Sequence, residues 1–387
     1  KLNGQHKEAR LTYARIQRER GALQESYSQY LLIVEQYPDT LEARIALAEM
    51  AIDGGSWEEA ERHGRAAQTA APTEASVLAV AAALDYREAV LAEDSAAASA
   101  AADAARVVLE AKADSLIARR VLIDYLANAA DPQGALDQVD LALAQQPDSL
   151  ELNMIKLRLL SLDGDQSRLG PQLQDMFARF PDNEQVRGLL ISWYMQEGDT
   201  DGAETLLRQL AGRTPDEQGP WMTLVAFLQQ TRGTDAAQAE LDRLIAAGGK
   251  KAPFYRAARA TMDFAATRNP AAIAEMETIL RDAPPSEETR NIKLALAQML
   301  IATDNAVGAR ARVEEVLAED AGNVEALKMR AAWLIQDDKP GEAILALRTA
   351  LDQNPRDPGS LTLMGEAHER DGSRELAGER YALAVEV

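Results

Sequence analysis

Apolar and polar positions alternate in blocks along this chain, most clearly over residues 323–355 (NVEALKMRAAWLIQDDKPGEAILALRTALDQNP). Apolar and small residues recur every three or four positions over 324–335, which is the spacing of one face of an α-helix. A polar run at 336–340 interrupts them, and a second periodic run over 342–351 ends before Asn354 and Pro355. The pattern predicts two short helices joined by a tight turn. Such a hairpin cannot bury a core alone, so it needs similar neighbours.

The pattern recurs with a period close to 34 residues. Residues that end the second helices are Pro38, Pro72, Pro147, Pro181, Pro215, Gly249, Pro284, Ala321 and Pro355, at intervals of 34, 75, 34, 34, 34, 35, 37 and 34. We expect copies over roughly 5–38, 39–72, 73–113, 114–147, 148–181, 182–215, 216–249, 250–284, 285–321, 322–355 and 356–387. The third copy is long around the alanine-rich residues 91–114, where we expect a lengthened hairpin; a flexible bulge is the alternative.

Small residues form two columns in these copies. Twelve residues before the breakers stand Ala60, Ala135, Ala203, Ala237, Ala272, Ala309 and Ala343, with Ala377 in the last copy and exceptions at Ser26 and Leu169. Twenty-four residues before them stand Ala14, Ala48, Ala260, Ala297, Ala331 and Gly365, replaced in the middle copies by Ile123, Leu157, Ile191 and Val225. A small side chain at a fixed helical position lets two helices approach closely. The columns therefore predict packing contacts.

These features resemble the tetratricopeptide repeat (TPR), with its 34-residue period, small eighth residue, alanine at the twentieth position and proline at the thirty-second. Trp221 matches the family's aromatic at the fourth position, Tyr194 the one at the eleventh, and Tyr30 and Tyr381 the one at the twenty-fourth. The resemblance covers essentially the whole chain. It implies an all-α fold, a right-handed α-solenoid of about eleven helical hairpins.

The composition also limits the possible domain organisation of the chain. No linker or charge block interrupts the 387 residues, so we expect one continuous solenoid over 1–387, with bends near 95–113, 246–253 and 282–288 as alternatives. Residues 1–4 match the end of a second helix, and the last helix has no polar capping helix after it, so we expect a fragment of a longer chain. No spanning segment is visible in it.

Charge and residue usage exclude several functions. With 62 acidic and 41 basic residues the net charge is −21, which argues against nucleic acid and anionic membrane surfaces as partners. Cysteine is absent, which excludes disulfides and thiolate metal sites. His6, His63 and His368 lie in distant copies, so a histidine metal site is not expected, and we expect each on the surface. No nucleotide-binding or hydrolase motif occurs. We therefore predict no catalytic residues, no cofactor and no enzyme activity.

The resemblance implies a binding surface. In the TPR family, positions 2, 5, 9, 12 and 13 face the inner, concave surface formed by the first helices, which holds a protein partner. Here they include Arg15, Arg18, Arg120, Asp124 and Arg158 in the earlier copies, and Met154, Met195, Met222, Phe254, Phe264, Ile301 and Ile335 in the middle and later ones. A partner helix or extended peptide with charged and apolar parts would suit this surface. Alternatively, the Met and Phe side chains pack between hairpins. Lys328 at position 5 has Ala332 at position 9, so the family's clamp for a C-terminal carboxylate is absent.

Our leading hypothesis is a non-enzymatic scaffold that binds protein partners on the concave face. Its length, degenerate copies and Ala- and Arg-rich composition resemble those of bacterial cell-envelope TPR scaffolds, such as assembly factors for exopolysaccharide secretion, pili or secretion machinery. This implies a periplasmic or outer-membrane-anchored location. The alternatives are a cytoplasmic TPR adaptor, and the targeting region of a larger enzyme such as a glycosyltransferase.

Overall fold

The computed structural model describes residues 6–164, 166–267, 269–281 and 283–387, without the Gln166 side chain. The interpretation of residues 1–4 as the end of a helix lies outside the described residues, as does Asp282 in the suggested bend at 282–288. Within the described ranges the chain forms 22 α-helices and no strand, which confirms the all-α prediction.

The chain divides into two compact units, Lys1–Gly198 and Asp199–Val387. Unit 1 contains α1 (Lys7–Glu19), α2 (Leu23–Gln36), α3 (Leu41–Asp53), α4 (Trp57–Ala70), α5 (Ala75–Leu91), α6 (Ser95–Ala111), α7 (Leu116–Asn128), α8 (Pro132–Gln145), α9 (Leu150–Asp163), α10 (Gln166–Arg179) and α11 (Glu184–Gln196). Unit 2 contains α12 (Thr200–Arg213), α13 (Gln218–Arg232), α14 (Thr234–Ala247), α15 (Ala252–Thr267), α16 (Pro270–Arg281), α17 (Glu287–Ala302), α18 (Ala306–Glu319), α19 (Val324–Gln336), α20 (Pro340–Gln353), α21 (Pro358–Arg370) and α22 (Arg374–Glu386). The single continuous solenoid, its handedness and its bends stay predictions.

The hairpin period is visible in the helix starts. The first helices of unit 1 begin at residues 7, 41, 75, 116, 150 and 184, which are 34, 34, 41, 34 and 34 residues apart. In unit 2 the odd-numbered helices begin at 218, 252, 287, 324 and 358, at intervals of 34, 35, 37 and 34. Several start at a polar N-cap whose side chain accepts a backbone N–H bond, as Ser115 and Ser149 do.

The long third copy is a lengthened hairpin. Both α5 and α6 have 17 residues, where most other helices in unit 1 have 13 or 14, and both are uninterrupted. Asp94 caps α6 by accepting N–H bonds from Ala96 and Ala97 at 3.0 and 2.9 Å. The extra residues therefore extend the helices, and the flexible-bulge alternative is wrong.

The small-residue column lies in the core. Ala60, Ala135, Ala203, Ala237, Ala309 and Ala343 are 0% exposed, and Ala272 and Ala377 are 5% and 4% exposed. Ser26, an exception in sequence, is also 0% exposed, and its hydroxyl donates to the Ala14 carbonyl at 2.8 Å. That bond satisfies the hydroxyl, so serine can replace alanine there. The predicted packing role of the column is confirmed.

Leu169, the other exception, is compensated by the residue that follows it. Gly170 is buried on α10, and a Cβ atom there would overlap the indole ring of Trp193 on α11. Leu169 itself is half-buried against the core of the neighbouring hairpins. The close approach of the two helices therefore depends on Gly170.

Two histidines are buried, so their expected surface positions are wrong. His63 on α4 and His368 on α21 are 3% and 6% exposed, whereas His6 is exposed. Neither ring nitrogen of His63 has a hydrogen-bond partner among the described residues, and Nε2 lies 3.6 Å from Glu59 Oε2. Burial lowers the pKa of His63, with further lowering by Arg62 and an opposing effect of Glu59. Burial also lowers the pKa of His368.

Replacing Gly170 by alanine is expected to destabilise unit 1. The added methyl group must displace the Trp193 ring, and such overpacking costs about 1–3 kcal/mol. Gly188→Ala on α11 is the matched control, because Gly188 is exposed and has no atom within 4 Å of an added Cβ. That change should raise the free energy of unfolding by up to about 1 kcal/mol. Urea unfolding followed by circular dichroism measures both; equal effects would contradict the Trp193 contact.

Acidification is expected to destabilise the fold through the buried histidines. Their pKa values are lower in the folded than in the unfolded chain, so between these values only the unfolded chain binds the proton. The two histidines therefore cost no stability above the ordinary histidine pKa near 6.5, and the free energy of unfolding falls as the pH drops below it. Urea unfolding of wild type and His63→Leu/His368→Leu should give a steeper loss below this pH for the wild type. Parallel pH profiles would contradict the assignment.

Candidate functional site

Unit 1 contains a cavity of about 850 Å³. It lies between the C-terminal ends of α1 and α3, the start of α2, and the N-terminal ends of α7 and α9. We call it the α1–α9 groove. Its charged lining residues are Arg18, Glu49, Asp53, Lys112, Asp114, Arg120 and Glu151. Both signs of charge therefore face the same space.

Two ion pairs join α1 to α3. Arg15 Nε lies 2.7 Å from Glu42 Oε1, and Arg18 Nη1 lies 2.8 Å from Glu49 Oε2. The Arg15 pair is about half exposed, and the Arg18 pair is more enclosed. The predicted groove residues Arg15 and Arg18 are thus already paired within the protein.

Arg120 on α7 joins three hairpins. Its Nη1 donates to Asp53 Oδ1 on α3 at 2.9 Å, and its Nη2 donates to Glu151 Oε1 on α9 at 2.7 Å. Between α3 and α7 lies α5, which contacts both and presents the buried alanines Ala79 and Ala83 to their shared core. These short side chains let Arg120 reach a partner 67 residues earlier in the chain.

Two carboxylates in this region are crowded although water reaches them. The Asp53 side chain is 48% exposed, and Asp124, one turn after Arg120 on α7, is also exposed. Burial by surrounding protein atoms nevertheless raises the pKa of Asp53, and Arg120 and Arg18 partly offset this rise. Burial likewise raises the pKa of Asp124, with offsets from Arg120 and Arg158. Surrounding protein atoms therefore disfavour the charged form of both carboxylates.

Asp124 and Arg158 differ from their neighbours in having no close partner. Among the described residues, no ion pair or hydrogen bond is formed by either side chain, and both are exposed. Leu162, one turn after Arg158 on α9, is 63% exposed, and Met195 on α11 is 40% exposed. Met154 is half-buried. Unpaired charge and accessible apolar surface thus follow one another along first helices of unit 1.

In unit 2 the predicted apolar residues divide into two groups. Met222 and Phe254 are half-buried, and Ile301 is 43% exposed. Phe264 is 5% exposed in the core formed by α15 to α20, and Ile335 is 6% exposed in the core formed by α19 to α21. Those two side chains fill the interior between hairpins, which is the packing alternative, so they are removed from the candidate surface.

Sequence reasoning missed the acidic half of the groove. Counted from the first residue of each first helix, Glu42 and Glu151 are second, Glu49 is ninth and Asp53 is thirteenth. These belong to the same set of positions, 2, 5, 9, 12 and 13, that selected the arginines. Tabulating both signs of charge at those positions in adjacent copies would have found the pairs.

The described residues contain no group of three or more His, Asp or Glu side chains placed to hold a metal ion. Over the same residues, no helix is both long and apolar enough to cross a membrane.

Comparisons with known proteins bear only on the fold class. No protein-family model matches the chain, and no curated protein matches it. Among solved structures, the APC/C hetero-tetramer Cut9–Hcn1 matches with 11% identity over 97% of this chain and 86% of that one, with a TM-score of 0.39. PilW, a type IV pilus biogenesis factor, has 17% identity over 52% and 92%, with a TM-score of 0.38. YrrB, a TPR protein with an unusual peptide-binding site, has 14% identity over 46% and 91%, with a TM-score of 0.32.

With TM-scores this low, the assignment depends on the chain's own hairpins, their 34-residue period and the buried small-residue column. The chain has a TPR-like fold. In unit 1 the first helices α3, α5 and α7 contact one another in turn, so charged side chains from distant parts of the sequence meet in one groove.

Arg120→Gln is expected to lower the free energy of unfolding by about 1 kcal/mol, since it removes a cation from two partly exposed carboxylates. The difference from wild type should shrink in high salt, which screens such pairs. Arg187→Gln, which breaks a pair with the exposed Glu184 within α11, is the control and should cost only a few tenths of a kcal/mol. Urea unfolding at low and high ionic strength measures both. A salt-independent Arg120 effect would contradict the ion-pair geometry.

Proposed function

We propose that this TPR-like chain is a non-enzymatic scaffold that binds a protein segment in the α1–α9 groove and along the neighbouring first helices α9 and α11. The observation that carries the proposal is the groove itself, a space of about 850 Å³ lined by side chains of both charge signs. A protein segment can supply both signs and apolar groups together. A polyanion such as nucleic acid would meet Glu49, Asp53 and Glu151.

We further propose that the partner belongs to a bacterial envelope assembly machinery such as exopolysaccharide secretion, with the scaffold in the periplasm or anchored at the outer membrane. The length, the degenerate copies and the Ala- and Arg-rich composition support this proposal. The cytoplasmic adaptor and the targeting region of a larger enzyme are the competing functions. Fractionation of cells that express the full-length gene, followed by identification of bound proteins, separates them. Export with secretion components supports the proposal, and exclusively cytoplasmic partners would contradict it.

Site-specific photo-crosslinking tests the groove. A photoreactive amino acid at Ser161, an exposed position on α9 three residues after Arg158, should capture a partner in cells that make the protein. Capture should weaken when Arg158→Glu is added, because the partner's anionic group loses its cation. The same photoreactive residue at Ala144, exposed on α8, is the control and should capture little. Equal capture at both positions, insensitive to Arg158→Glu, would contradict binding in this region.

A further inference from the structure

Most charges of the α1–α9 groove are already satisfied inside the protein. Arg15, Arg18 and Arg120 each bond a carboxylate of another hairpin at 2.7–2.9 Å. Nearby on α9, Lys156 pairs with Asp140 at 2.8 Å. A partner that contacted these groups would have to replace an existing ion pair, so it would gain little net free energy from them.

Asp124 on α7 and Arg158 on α9 lie outside the groove lining, and neither has such a partner among the described residues. Four residues separate Arg120 from Asp124 on α7, a spacing that normally allows an ion pair. The Arg120 guanidinium is instead engaged by Asp53 and Glu151, which leaves the Asp124 carboxylate without a cation within ion-pair distance among the described residues. Burial raises the pKa of Asp124, which means that the charged form of the carboxyl is disfavoured. Within the described part of the chain, no ion-paired cation offsets this effect.

Arg158 stands on the next first helix. It is the ninth residue of α9, as Asp124 is of α7, and the two side chains do not form an ion pair. The two equivalent positions therefore present one negative and one positive charge on successive first helices, each able to accept a further partner. A single bound segment can reach both, because α7 and α9 are already joined by the Arg120–Glu151 bond.

Exposed apolar side chains lie on one side of this pair only, which gives the surface a direction. Leu162 is one turn further along α9, and Met195 lies on α11. No comparable exposed apolar side chain is found on α7 among the described residues. A segment whose apolar residue contacts Leu162 or Met195 is placed in one orientation, and its charged residues then meet Asp124 and Arg158 in a defined order.

The geometry points to Asp124 and Arg158 as the residues that select the charge order of the bound protein segment, with a cationic residue against Asp124 and an anionic residue against Arg158. This inference rests on the proposed function and specifies its partner. The partner class is a segment that carries one basic, one acidic and one large apolar residue in a fixed order. Arg15, Arg18 and Arg120 instead shape the groove through their internal pairs.

A displayed peptide library tests the inference. Its members carry one Lys or Arg, one Asp or Glu and one Leu, Met or Phe in every order and at varied spacing within a polar background. Selection is run on the whole chain and on the Asp124→Arg/Arg158→Asp variant, which exchanges the two charges and keeps the net charge. We expect the basic and acidic positions of the enriched peptides to exchange between the two selections, while the apolar position stays. For a peptide selected on the wild type, either single reversal should weaken binding about tenfold.

Lys339→Glu/Glu342→Lys is the matched control. It exchanges the charges of an exposed ion pair at the start of α20 at constant net charge, and it should enrich the same peptides as the wild type. Circular dichroism establishes that each variant is folded. The same charge order on wild type and on the Asp124/Arg158 exchange would overturn the inference, and so would enrichment without any charge preference. Either result leaves the proposed scaffold standing if crosslinking at Ser161 succeeds. Failure of both experiments would overturn the proposed function as well.

Discussion

The close crossing of helices at small residues is the contact on which the rest of each unit depends. A hairpin of two short helices buries too little apolar surface to be stable, so each must pack against the next. That packing requires a side chain small enough to leave the helices in contact, and the buried alanines of the twentieth position meet the requirement. Where alanine is absent, Ser26 fits by bonding the Ala14 carbonyl, and the buried Gly170 lies beside Leu169.

The same constraint shapes the groove. Because α5 carries alanine at the positions that lie between α3 and α7, those two helices share one core with it. Arg120 can then reach Asp53 over α5, and the surface curves inward at this point. Larger residues in place of Ala79 and Ala83 would hold the flanking helices apart. The charge arrangement is therefore a consequence of packing beneath it, and the groove cannot be understood from its charged residues alone.

Much of the fold follows from the sequence, because periodicity and helix breakers are local signals. The helix starts at residues 41, 150, 184 and 358 fall where a 34-residue period places them, and the lengthened third hairpin follows from its alanine-rich composition. Burial of individual side chains was less predictable. Phe264 and Ile335 share the register of surface residues yet lie in the core, because the rotation of each hairpin against its neighbours decides which flank is covered. The burial of His63 and His368 has the same origin.

Sequence register identified some charged residues of the groove but not how they are paired. It selected Arg18 and Arg120, which line the groove, and an inspection of both charge signs would have added Glu49, Asp53 and Glu151. No local pattern, however, indicates that Arg120 bonds Asp53 and Glu151 in preference to Asp124, its neighbour one turn away. That preference depends on contacts between hairpins, through residues that are 31 and 67 positions apart in the sequence.

The bonding of Arg120 to Asp53 and Glu151 in preference to Asp124 has opposite effects on stability and on binding. A carboxylate that is crowded by protein and lacks a direct cation is less stable in its charged form, as the raised pKa of Asp124 indicates. Pairing Asp124 with Arg120 would remove this cost, but it would also remove the strongest reason for a partner's cation to bind there. Local departures from the most stable arrangement are expected at functional sites. Asp124 shows such a departure, whereas Arg15, Arg18 and Arg120 are internally paired.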